Sequence, residues 1–89
     1  MRFRLLGDWW RIEHPSPVVH DTGEEVRGQC DNEARVIEVD SGLSERESLE
    51  VTLHELMHAT NWVAGEKVVT EAARDMARLL LRLGWRRGS

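Results

Sequence analysis

A chain of 89 residues makes one domain with a thin core, to which a bound metal or a partner would add stability. Hydrophobic residues form 40% of it and charged residues 31%, an ordinary globular composition, and no apolar run approaches the roughly 18 residues of a membrane span. The formal net charge of -4 argues against a general attraction to nucleic acid or anionic lipid, so neither is an expected partner.

The first eight residues are too soon interrupted by charge to form a signal peptide, and the single Cys30 has no internal disulfide partner. Both point to a reducing compartment, with the cytoplasm of a bacterial host cell as the expected location.

Residues 2–6 and 9–13 read as short strands with Gly7-Asp8 as the turn between them. The stretch His14-Pro15-Ser16-Pro17 cannot continue a central strand, because proline lacks the ladder donor. Asp21-Thr22-Gly23 reads as a turn, residues 24–30 as another short strand, and Asp31-Asn32-Glu33 as a second turn. Residues 35–40 alternate and are β-branched, which makes them the clearest strand of the chain.

Ser44 and Glu47 have the spacing of a capping box, which starts a helix. Leu49, Leu53, Leu56, Thr60 and Val63 recur at helical spacing and predict its buried stripe, with Gly65 as the C-terminal cap. Val69, Ala72, Met76, Leu80 and Leu83 predict the stripe of a second helix ending near Gly84. So short a connection predicts a tight antiparallel hairpin. The expected fold class is α+β: residues 1–89 as one domain, with a small, mainly antiparallel sheet of three to four strands followed by a two-helix antiparallel hairpin.

The chemistry lies in His54-Glu55-Leu56-Met57-His58. Histidines four apart on a helix project from one face, one turn apart, and can ligate one zinc ion. Glu55 between them can sit beside a metal-activated water and take its proton as it attacks a carbonyl. A catalytic zinc takes a third protein ligand. If the hairpin turns about Gly65, counting brings Glu71 level with the histidines, and Asp75 follows one turn later. Glu66 is the rival, reaching the metal only if the first helix stops soon after His58.

His54-Glu55-x-x-His58 followed by Thr70-Glu71-Ala72-Ala73-Arg74-Asp75 resembles the gluzincin metallopeptidases. That resemblance implies a zincin-like fold, Glu71 as third ligand and Asp75 as the carboxylate that orients a histidine ligand. Gly28-Gln29-Cys30-Asp31, then residues 36–40, then Thr52-Leu53-His54-Glu55-Leu56-Met57-His58-Ala59 also resemble small phage and prophage metallopeptidases related to the ImmA/IrrE group. Such sequences often have a glutamate where the last helix begins, which keeps Glu66 in contention. Gluzincins also supply a Tyr, His or Arg to stabilise the oxyanion. This chain has no tyrosine, leaving His20 and His14 as the remaining histidines for that task.

The four tryptophans are expected to cover the thin core, with Trp9 or Trp62 as alternative walls of a substrate cleft. Cys30 is expected to be a small apolar side chain at a strand end, or else a latent zinc thiolate. Arg74, Arg78, Arg82 and Arg86 form an exposed stripe, for solubility or for docking an acidic group. The expected function is a zinc-dependent peptidase, a hydrolase that cleaves peptide bonds in a peptide or protein substrate. The alternative is a non-catalytic zinc-stabilised binding or regulatory module of phage origin.

Overall fold

The computed structural model describes residues 1–60 and 65–87. Arg2–Leu5 (β1) and Asp8–Glu13 (β2) form an antiparallel hairpin in which Leu5 faces Asp8. The two residues between them, Leu6 and Gly7, have φ of 51° and 86°. Positive φ at both positions marks a type I′ turn, whose twist matches its strands, so the turn sits one residue earlier than Gly7-Asp8.

The expected strand over residues 24–30 divides at Arg27. Glu25–Val26 (β4) pairs with Val18–Val19 (β3) as a separate ribbon, and Gly28–Asp31 (β5) pairs with Val36–Val39 (β6). The main sheet runs β1-β2-β6-β5. Its outer pairings are antiparallel and the central one, β2 with β6, is parallel, so the sheet is mixed. The parallel pair arises because the chain returns to β2 only after passing through the ribbon and the β5 hairpin.

One face of this sheet carries the core. Trp10 and Ile12 of β2 and Ile37 and Val39 of β6 meet Val51 and Ala59, with Phe3, Leu5 and Cys30 packed around them. Cys30 is thus a core-edge side chain, as expected. Alternation along β2 sends Trp9 to the opposite face, where the guanidinium groups of Arg2 and Arg4 lie 4.7 and 5.4 Å from the centre of its ring.

Glu45–Ala59 forms helix α1, started by Ser44, whose hydroxyl accepts from the Glu47 amide at 3.2 Å and donates to the Glu47 carboxylate at 3.0 Å. Its buried line is Ser48, Val51, Glu55 and Ala59, while the predicted Leu49, Leu53, Leu56 and Thr60 are half-buried. The smaller side chains face the sheet, which lets the helix lie close to it. Gly28 makes this possible, because a Cβ there would collide with Val51 Cγ1 and come within 3.0 Å of the Glu38 carbonyl oxygen.

Glu66–Arg82 forms helix α2. Gly65 has extended backbone angles and is its N-cap, so it opens the second helix rather than closing the first, which ends at Ala59 with Thr60 as its cap. Trp62 and Val63 lie outside the described residues. The two helices pack on each other, α2 burying Val69, Ala73 and Ala77. Of its predicted stripe Val69 is buried, Ala72 and Leu80 are half-buried, and Met76 and Leu83 are exposed. Gly84, with φ of 96°, then closes α2: its amide donates to Leu81 O and that of Trp85 to Leu80 O, both at 3.1 Å. None of the described helices is long and apolar enough to cross a membrane.

Candidate metal centre

The last two turns of α1 and the first residue of α2 meet at one point. His54 and His58 stand one turn apart with their Nε2 atoms 3.1 Å from each other. The Glu66 carboxylate closes the triangle, Oε1 lying 2.7 Å from His54 Nε2 and Oε2 3.3 Å from His58 Nε2. One donor atom from each residue lies within 4.8 Å of the others, so the group could hold a metal ion. Donors about 2.05 Å from a tetrahedral ion are separated by about 3.3 Å. The Nε2–Nε2 spacing and the two Glu66 contacts, 2.7–3.3 Å, come near that edge length, so two imidazoles and a carboxylate here could hold a metal ion.

The carboxylate beside the histidines is Glu66's, not the one that counting about Gly65 brings level with them. Because α1 stops at Ala59, the connection is longer than a turn about Gly65, and the start of α2 rather than its second turn arrives at His58. Glu71 is exposed on α2, outside this donor group. Asp75 is also exposed, and its carboxylate lies 3.8 Å from the Arg78 guanidinium one turn on along α2.

Glu55 projects from the sheet-facing line of α1 and is only 8% exposed. Burial pushes its carboxyl pKa up, His54 and His58 pull it down, and Glu66 pushes it up again. Glu55 and His54 line a cavity of about 190 Å³ together with Arg27, Gly28, Glu50 and Thr70. Glu55 therefore shares a small opening beside β5 with one of the two histidines, His54. On its outer side β5 pairs with no further strand among the described residues.

Neither histidine expected to stabilise an oxyanion lines this cavity. His14 lines a separate cavity of about 390 Å³ with Leu49, Leu81 and Trp85, and its pKa is held down by burial, by Arg87 and by the N-terminal amine. His20 is held by a local loop contact, its Nδ1 lying 3.3 Å from the Thr22 hydroxyl. The cation at the opening is Arg27, 3.8 Å from Glu47 and more than half exposed. Its sequence signal is slight: a lone arginine before Gly28, at the point where β4 gives way to β5.

Compared with protein-family models, with curated proteins and with solved structures, the chain matches none.

Proposed function

We propose that this chain is a zinc-dependent peptidase with His54, His58 and Glu66 as the metal ligands and Glu55 as the general base. The observation that carries the reading is the convergence of His54, His58 and Glu66 into one donor group, with His54 shared between that group and a small opening lined by the buried Glu55. The resemblance of His54-Glu55-x-x-His58 to the gluzincins and to phage metallopeptidases supports it from the sequence. Among the described residues the group offers three protein donors, the number a catalytic site uses when it keeps a place for water or substrate.

Bound there, zinc would supply Lewis acidity to the attacking water and to the scissile carbonyl. Glu55 takes a proton from that water as its oxygen adds to the carbonyl carbon. The same carboxyl then gives the proton to the leaving amine as the C–N bond breaks, leaving a carboxylate and an amine. Its burial keeps the group poorly hydrated and raises its basicity for the first transfer. Arg27, at the mouth of the opening, is the side chain able to swing toward the developing oxyanion. The substrate is a peptide in extended form, lying antiparallel to β5 and satisfying its outward-facing amides and carbonyls.

A non-catalytic metal-stabilised module is the second reading, favoured by one observation: the cation at the opening is already close to Glu47. The test joins metal content to turnover. Zinc-loaded wild-type protein and Glu55→Gln are each incubated with a denatured protein, and new N-termini are counted by mass spectrometry. The peptidase reading expects about one zinc per chain in both and a rate loss of at least about 100-fold in Glu55→Gln. Equal turnover by the two proteins, or no zinc in either, would overturn it. Zinc without any turnover in wild type would favour the module.

A further inference from the structure

Helix α2 has a second apolar face that nothing in the described chain covers. At roughly 100° per residue, Val68, Ala72, Met76, Leu79 and Leu83 fall within one arc of about 80°. Val69, Ala73 and Ala77, the line packed inward, lie about a quarter turn away. On the outer arc Val68 is 54%, Leu79 56% and Leu83 67% exposed. Single exposed apolar residues are ordinary, but a continuous stripe of them along four turns marks an interaction surface.

The charges beside the stripe say what covers it. Glu71 and Asp75 flank its first half, and Arg78 and Arg82 flank its second half, all on the solvent side and all exposed. We infer that α2 pairs antiparallel with α2 of a second copy of this chain. With Met76 opposite Leu79 of the other copy, Ala72 falls opposite Leu83, and the stripe covers itself about a twofold axis. The same register sets Glu71 and Asp75 of each copy against Arg82 and Arg78 of the other. Parallel pairing would instead place these charged flanks on opposite sides of the seam, where they could not meet.

The pairing leaves the other side of α2 undisturbed, where Glu66 reaches His54 and His58. A helix of 17 residues is about 25 Å long, so one helix pair buries less than the roughly 1,200 Å² of a stable interface. The dimer is therefore a reversible one that forms at micromolar or higher concentration.

Sedimentation equilibrium tests this across roughly 10 µM to 1 mM, the range suited to a weak interface. Wild-type protein is expected to shift from monomer to dimer over that range, and Leu79→Glu to weaken association at least about tenfold. Two charge variants test the register: Glu71→Arg with Asp75→Arg, and Arg78→Glu with Arg82→Glu. Each alone is expected to stay monomeric at concentrations where wild type dimerises, and an equimolar mixture is expected to form a heterodimer. Circular dichroism confirms that each variant is folded, and these exposed side chains lie outside the core. Monomeric wild-type protein throughout, undiminished association of Leu79→Glu, or no heterodimer in the mixture would each overturn the proposal.

Discussion

Glu66, the first residue of α2, brings its carboxylate to 2.7 Å from Nε2 of His54, which stands nearly two turns back along α1 from its cap Thr60. The donor group thus spans two helices, and it exists only while they are docked.

An ion bound there stabilises the docked state by mass action. Zinc at about 100 times its dissociation constant should add about 2.7 kcal/mol. In a domain of this size that raises the melting temperature by roughly 10–20 °C. Glu66→Ala should abolish most of that shift and lower zinc content, whereas Glu71→Ala should keep both. Differential scanning fluorimetry with and without zinc, beside elemental analysis, separates the two variants. Loss of zinc in Glu71→Ala alone would return the third ligand to the second turn of α2.

Gly28 sets the distance between β5 and the Glu55 side chain, since a Cβ there meets Val51 Cγ1 first and Glu55 Cγ at 3.4 Å. Gly28→Ala should cost about 1–3 kcal/mol by overpacking. Chemical denaturation reads the loss. On the proposed peptidase reading, turnover measured where the variant remains folded should fall with it, because α1 must move away from the strand. An unchanged midpoint would show that the helix has room to spare.

Leu6 holds φ at 51° with its side chain 78% exposed. A left-handed conformation costs a branched side chain about 1–2 kcal/mol, and little packing is lost on replacing it. Leu6→Asn, giving the favoured Asn-Gly turn, should raise stability by about 1 kcal/mol, or roughly 4–8 °C in melting temperature. A melting temperature no higher than wild type would mean that the leucine packs in a way its exposure hides.

Burial, then the nearby Glu55 and Asp31 carboxylates, push the Cys30 thiol up to about 11. The folded state therefore prefers the protonated thiol. Its contribution to stability is whole below the thiol's ordinary value and is lost as pH rises from there through about 11. Alkaline unfolding should accordingly be milder in Cys30→Ala than in wild type, once the two are compared with their own midpoints at pH 7. At pH 8 alkylation of Cys30 should run about 100-fold slower than that of an unperturbed thiol, because so little thiolate is present. Fast alkylation by iodoacetamide in the folded protein would contradict the shift. A slow thiol also weighs against the latent zinc-thiolate role.

Local signals carried much of the fold. The capping box at Ser44 and Glu47, the alternation of residues 35–40 and the proline break after His14 each appear where the sequence predicts them, because each rests on chemistry within a few residues. What escaped was set by tertiary contacts. The parallel pairing of β2 with β6 leaves no mark on either strand, and the division at Arg27 depends on which strand lies alongside. In α1 the leucines drew the expected stripe by hydropathy, yet the sheet accepts the smaller Ser48 and Ala59 instead. The two histidines and Glu55 were legible from spacing alone. The choice between Glu66 and Glu71 was not, since it turns on where α1 ends, and a glycine such as Gly65 caps either end of a helix.

The small residues on the inner line of α1 work as shims. Ser48 and Ala59 lie near the two ends of the helix, and Val51 and Glu55 lie between them. Thickening one end would tip the helix about the other and swing the histidines relative to β5, with no change to any group in the opening. Geometry at the candidate metal centre is in this sense calibrated from the far side of the helix. Residues that touch neither ion nor substrate thereby become adjusting screws for whatever chemistry the opening performs.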